Sequence, residues 1–153
     1  MSTSAIPGAM AALVDILTAA LPDVAVFDGS SVADDSMPDC VWVGWHPDEQ
    51  DAARFVQSFN AAGARTRDEA FQIFCYLESW SGDTDMPARR TQAFALLAAV
   101  ETALRSTAAD PAKANLGGTV LWAELTTGSL RPIQDDKGLR AGIPFVISCR
   151  ARI

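Results

Sequence analysis

Residues 69 to 80 read Glu-Ala-Phe-Gln-Ile-Phe-Cys-Tyr-Leu-Glu-Ser-Trp, and their alternation decides the fold. Phe71, Ile73, Cys75 and Leu77 fall on one side of an extended chain, while Gln72, Phe74, Tyr76, Glu78 and Trp80 fall on the other. A strand of this length is the backbone of a sheet. Ser81-Gly82-Asp83-Thr84-Asp85 then supplies a turn and helix-cap residues, and a helix is expected over Met86 to Ser106 with Phe94, Leu97, Val100 and Leu104 on its apolar side.

Working towards the N-terminus, Met10, Leu13, Val14, Leu17 and Leu21 recur at helical spacing from about Pro7 to Leu21. Pro7 suits a first helical turn, and Pro22-Asp23 stops the helix ahead of a short strand, Val24 to Asp28. Ser30 to Asp39 is polar and acidic and reads as a loop. It leads to a strand Cys40 to Trp45, with Val41, Val43 and Trp45 expected on one face. The pattern from His46 to Asp68 fits helix and strand alike; Gly63 between two short runs favours a hairpin. Towards the C-terminus, Pro111 and Gly117-Gly118 mark an exit loop. Thr119 to Thr127 and about Leu139 to Ile153 read as a long antiparallel pair. The connection from Leu130 to Leu139 holds Pro132 and the polar tip Gln134, Asp135, Asp136 and Lys137, and it is expected to project as a docking arm. Pro144 has no N–H for a ladder, so its donor side should be an edge or a bulge. The expected fold is α+β: a mixed or antiparallel sheet with two main helices on one face, in a single domain over residues 1–153.

Composition narrows function more than motifs do. The 153 residues are 49% hydrophobic and 20% charged, which suits an ordinary globular core and excludes a disordered chain. No apolar run is long enough to span a membrane, and MSTSAIPGAM lacks the basic and apolar regions of an export signal, so a soluble protein is expected. The net charge is −7, and residues 1–53 hold nine acids with no Lys or Arg. That distribution opposes phosphate neutralisation and favours contacts between unlike ends of two copies. Cys40, Cys75 and Cys149 have no zinc or disulfide spacing, and His46 is the lone histidine. No GxGxxG, Walker, GxSxG or HExxH pattern occurs. Asp83 and Asp85 lack the further ligands of a calcium loop and are better explained as helix caps. An enzyme reading would rest on His46 with Asp48 or Asp51 as an acid/base pair; no enzyme, cofactor or metal is expected.

Aromatic residues mark a candidate interface instead. Phe74, Tyr76 and Trp80 lie opposite the core side of their strand, and Trp122 lies on the less apolar side of its own. Arg150 and Arg152 share a face. Asp48, Glu49 and Asp51 are expected to meet Arg54, Arg65 or Arg67 of a neighbouring copy as register-setting rim pairs.

The run Arg67-Asp68-Glu69-Ala70-Phe71, continuing through Ile73, Cys75 and Trp80-Ser81-Gly82-Asp83 to Arg89, Arg90 and the helix Ala93 to Glu101, resembles the tail terminator (tail completion) proteins of long-tailed bacteriophages. The ending Ile143-Pro144-Phe145-Val146-Ile147-Ser148-Cys149-Arg150-Ala151-Arg152-Ile153 extends the likeness over most of the chain. The resemblance implies a structural protein of which six copies form a ring. That ring would cap the tail tube protein, end tube growth and receive the head-tail connector protein. Duplex DNA would pass through the lumen without specific binding, and the protein would reside in the virion tail or neck after assembly in the host cytoplasm. Another neck or head-tail joining protein is the alternative, followed by a small ligand-binding domain or enzyme using His46.

Overall fold

A computed structural model describes residues 2–30, 37–105, 114–136 and 138–153. In chain order the elements are α1 (Ile6–Ala20), β1 (Ala25–Asp28), β2 (Asp39–Val43), β3 (Ala53–Phe59), β4 (Arg67–Ser81), α2 (Met86–Arg105), β5 (Trp122–Gly128), β6 (Arg131–Asp135) and β7 (Gly138–Arg152). The fold is α+β: two helices packed against a mixed seven-stranded sheet. None of the described helices is long and apolar enough to cross a membrane. Ser31 to Ser36, Ser106, Pro111 and Lys137 lie outside the described residues, and with them parts of the two expected loops and the arm's tip.

The two 15-residue strands β4 and β7 form the middle of the sheet, antiparallel from Asp68 opposite Arg152 to Ser81 opposite Leu139. Shorter strands flank them end to end. On the outer side of β4, β3 pairs with residues 67–73 and β2 with residues 75–79; β1 lies beyond β2 and parallel to it. On the outer side of β7, β6 pairs with residues 138–142 and β5 with residues 145–150. Pro144 falls in the break between β5 and β6, beside the irregular register at Leu125 and Thr127, so its missing donor faces no ladder.

Phe71, Ile73, Cys75 and Leu77 of β4 join Ile143, Phe145, Ile147 and Cys149 of β7 in the core beneath the helices. Complete burial of a side chain such as Phe145 contributes about 1.5–3 kcal/mol, so this layer supplies much of the fold's stabilisation. Helix α1 places Leu13 and Leu17 there, with Pro7 in its first turn as expected. Asp85 caps α2 by accepting the Ala88 N–H at 3.1 Å, and Asp83 accepts the Asp85 N–H at 3.3 Å.

The buried side of α2 is rotated from the expected one. Ala93, Leu96, Val100, Ala103 and Leu104 face the sheet, whereas Phe94 is 49% exposed and Leu97 is only partly covered. Small Ala93 and Ala103 let the helix lie close to the strands, and a bulky stripe one residue along would hold it away. β2 also differs: it ends at Val43, and Gly44, with φ of 76°, turns the chain so that Trp45 joins the face opposite Val41 and Val43. The hairpin over residues 53–81 forms as expected, with Gly63 at φ 78° in its turn.

The connection from Leu130 to Leu139 is not an unpaired arm. Its residues 131–135 are β6, laddered to β7 from Arg131 opposite Gly142 to Asp135 opposite Gly138. Pro132 is tolerated because β6 is an edge strand with one ladder to satisfy. The longer first strand expected from Thr119 begins instead at Trp122, since Leu116–Thr119 form a turn with Gly117 and Gly118 at positive φ.

Candidate functional site

The sheet face away from the helices carries the chain's concentrated polar and aromatic chemistry. Its upper half, around β2, β4 and β6, is covered by the chain itself. Phe74 of β4 anchors both ends of the segment 45–51: Gly44 N–H donates to Phe74 O at 2.9 Å, and Phe74 N–H donates to Ala52 O at 3.0 Å. Between those anchors the segment crosses the sheet. Trp45 packs on Trp42 and Tyr76 with ring centroids 5.8 and 5.5 Å away, and His46 meets the Phe74 ring edge-on at 6.0 Å. Asp48 reaches β6 and pairs with Arg131.

Tyr76 is accordingly 4% exposed and Phe74 is buried, so neither is a surface anchor. The Tyr76 hydroxyl donates to Glu78 at 3.0 Å, and Arg140 donates to the other Glu78 oxygen at 2.9 Å. Burial, reinforced by the Glu78 charge, pushes the tyrosine's ionisation far upward and keeps it a neutral donor. Gly142 lies across the sheet from this phenol, where any side chain would overlap the hydroxyl. Trp80, opposite Arg140 in the ladder, is half-buried.

The charged residues expected to meet across a subunit boundary are largely satisfied within the chain. Arg54 donates to Asp51 and to Glu49, each at 2.7 Å, with its guanidinium 5.2 Å over the Phe74 ring. Arg67 donates to Gln57 Oε1 at 3.0 Å. Arg150 and Arg152 both approach Asp68, at 3.9 and 2.9 Å, and the Arg152 hydrogen bond holds that carboxyl below its usual range. The acidic trio Asp48, Glu49 and Asp51 therefore pairs within the chain, with Arg131 and Arg54, and fastens its own loop. Arg65 stays exposed in the β3–β4 turn, and Trp122 is 39% exposed. Of the arm's polar tip, Gln134 and Asp136 are exposed.

His46 is not arranged as a general base. Its Nδ1 accepts the Asp48 N–H at 3.2 Å, and the nearby carboxylates Asp48, Glu49 and Asp51 are each held by an arginine. Desolvation lowers its ionisation below 6.5, with Glu49 opposing and Arg131 adding to the shift. Burial pushes the Cys75 and Cys149 thiols up to about 12, far from nucleophilic use at neutral pH. Among the described residues, no three His, Cys, Asp or Glu side chains converge in a way that could hold a metal.

Over the lower half of the open face, on β3, β4, β7 and β5, no such segment lies among the described residues. Asp51, Arg54, Val56, Ala70, Gln72 and Trp122 line an open groove there. On the helix side of the same end sits a residue that sequence reading passed over. Glu69 is fully buried; it accepts the Ala5 N–H at 2.8 Å and a Gln57 Nε2 hydrogen at 2.5 Å. Gln57 also donates to Thr3 O at 2.8 Å, which ties the N-terminal segment to β3. The signal was available, because Glu69 continues the core-facing register of Phe71, Ile73, Cys75 and Leu77.

Comparison of the chain with protein-family models gave no match, and comparison with curated proteins gave no significant one.

Proposed function

We propose that the chain is a tail terminator of a long-tailed bacteriophage, a structural protein that closes the tail tube as a ring of six and offers a surface to the head connector. The observation that carries this reading is where the resembling segments lie. They are β4, the Trp80-Ser81-Gly82-Asp83 junction, α2 and β7, which together form the scaffold of the fold and not a peripheral insertion. A likeness confined to one surface loop would have little weight; one that coincides with the central strands and the helix on them bears on the whole subunit.

Electrostatics support the same reading. A ring through which duplex DNA slides works best when its wall does not hold phosphates, and a charge of −7 per subunit supplies repulsion. His46, lacking a free carboxylate partner, gives no support to the enzyme alternative. A joining protein elsewhere in the neck shares this chemistry, so position in the particle separates the two.

The test is genetic and structural together. Removing the gene from the phage that carries it should give tails of irregular length that fail to join heads, and supplying the chain in trans should restore both. A reconstruction should place six copies where the tube ends. Tails of normal length in the deletion, or one or two copies at that end, would defeat the reading.

A further inference from the structure

The seven-residue strand β3 is an edge without the usual protection. Among the described residues it pairs only with β4, and Val56, Phe59 and Phe55 are 73%, 68% and 57% exposed. Edge strands are ordinarily guarded by a central charge, a proline or a bulge. Here the one charged residue, Arg54, is drawn back onto Glu49 and Asp51 of its own loop, and the ladder to β4 runs unbroken from Ala53 to Phe59. The other edges differ. β1 has four residues, β6 contains Pro132, and on β5 the Ala123 N–H already donates to Ala114 O at 2.7 Å.

The backbone of β3 has a definite free side. Phe74 N–H donates to Ala52 O and Asn60 N–H donates to Thr66 O, so the even-numbered residues between them direct their peptide groups at β4. Phe55, Gln57 and Phe59 consequently direct theirs outward, where no described residue meets them.

From this geometry we infer that β3 pairs antiparallel with β3 of a second copy about a two-fold axis at Gln57, joining two sheets into one. The occupant is argued from the placement of two exposed phenylalanines, Phe55 and Phe59, each two residues from Gln57. With Gln57 opposite itself, the outward-directed residues meet one another, which is the condition for exchanging about six main-chain hydrogen bonds. Phe55 then lies beside the partner's Phe59 and Phe59 beside the partner's Phe55, two cross-strand aromatic pairs on one face. Val56 faces the partner's Ser58, and Arg54 faces the partner's Asn60, so no like charges are opposed. Any extended strand could take the main-chain bonds; what a second copy adds is the two aromatic pairs, because Phe55 and Phe59 lie symmetrically about Gln57. The pairing goes beyond the ring reading: it is an isologous contact of the free protein, and it stands or falls without reference to the tail.

The experiment uses the full chain. Sedimentation of the purified protein should show a concentration-dependent species of twice the 16.2 kDa chain mass. Phe59→Lys, at a site already exposed, should abolish it with the far-ultraviolet circular dichroism unchanged. Val56→Cys combined with Ser58→Cys should give a disulfide-linked dimer when oxidised with a copper complex, because the two sites face each other across the axis. Either cysteine alone should not link, and native Cys40, Cys75 and Cys149 are buried. A monomer up to the solubility limit overturns the inference, as does an oligomer that survives Phe59→Lys or forms without the paired cross-link. If the lysine variant unfolds, the cross-link alone decides. Absence of a ring from the phage tail, with the cross-link present, refutes the proposed function and leaves the dimer.

Discussion

Replacing Glu69 with alanine tests whether a carboxylate on the sheet is the foot on which α1 stands. The N-cap residue of α1 is Ala5, which has no capping side chain, and the first turn holds no acid; its start is fixed instead by neighbours, Glu69 accepting the Ala5 N–H and Ser4 Oγ the Ile6 N–H. Removing the carboxylate deletes two charge-assisted hydrogen bonds, each worth about 1.5–3 kcal/mol. Gln57 keeps its bonds to Thr3 and Arg67, and the half-buried Ala5 N–H gains some access to water, so the net loss is set at about 2–4 kcal/mol. For a domain of this size that lowers the melting temperature by about 4–16 °C. Glu69→Gln retains an acceptor for Ala5 but turns an amide N–H towards Gln57, and should cost about 1–2 kcal/mol. Urea unfolding measures both, and amide exchange at Ala5 and Ile6 should quicken in the alanine variant. A Glu69→Ala protein within about 0.5 kcal/mol of the parent, with those amides still slow, would refute the reasoning.

Three further outcomes follow from the packing and the charges. Gly142→Ala overlaps the Tyr76 hydroxyl and should destabilise by about 1–3 kcal/mol, with a change in tryptophan fluorescence as Tyr76 shifts against Trp42 and Trp45; an unchanged spectrum and midpoint would count against the contact. Phe145→Ala should cost about 3–5 kcal/mol and Phe94→Ala within about 0.5 kcal/mol in denaturant titrations, and the reverse order would mean that α2 faces the other way. The His46 imidazole is harder to protonate in the folded chain than its ordinary 6.5, so the stability linked to it is present above that value and is lost as pH falls through the lower folded value. His46→Gln should therefore flatten the fall of the urea midpoint across that window, and an identical pH profile would exclude the linkage.

The fold was legible where one side of an element is apolar throughout, as the β4 alternation shows. α2 was placed correctly but turned wrongly, because alanines that let a helix approach a sheet give no hydrophobic signal. Trp45 changed faces because a single residue at positive φ shifts every later side chain by one step, which period-two counting cannot see. The site was less legible. Sequence spacing alone does not show that a loop doubling back over the sheet brings Glu49 and Asp51 onto Arg54, and Asp48 onto Arg131, within one chain. The expected docking arm is a paired edge strand, because Pro132 costs no ladder bond where its nitrogen faces outward.

The end-to-end placement of the flanking strands has a mechanical consequence. β2 gives way to β3 beside Phe74, and β6 gives way to β5 beside Pro144, so both junctions lie near one line across the sheet. Among the described strands only β4 and β7 carry the ladder through that line, so bending the sheet there opposes the fewest main-chain bonds. Helix α1, ~22 Å long, starts at Glu69 on one side of the line and packs on β1 and β2 on the other. It acts as a diagonal brace, held at its start by the buried Glu69 carboxylate together with the Gln57 bond to Thr3.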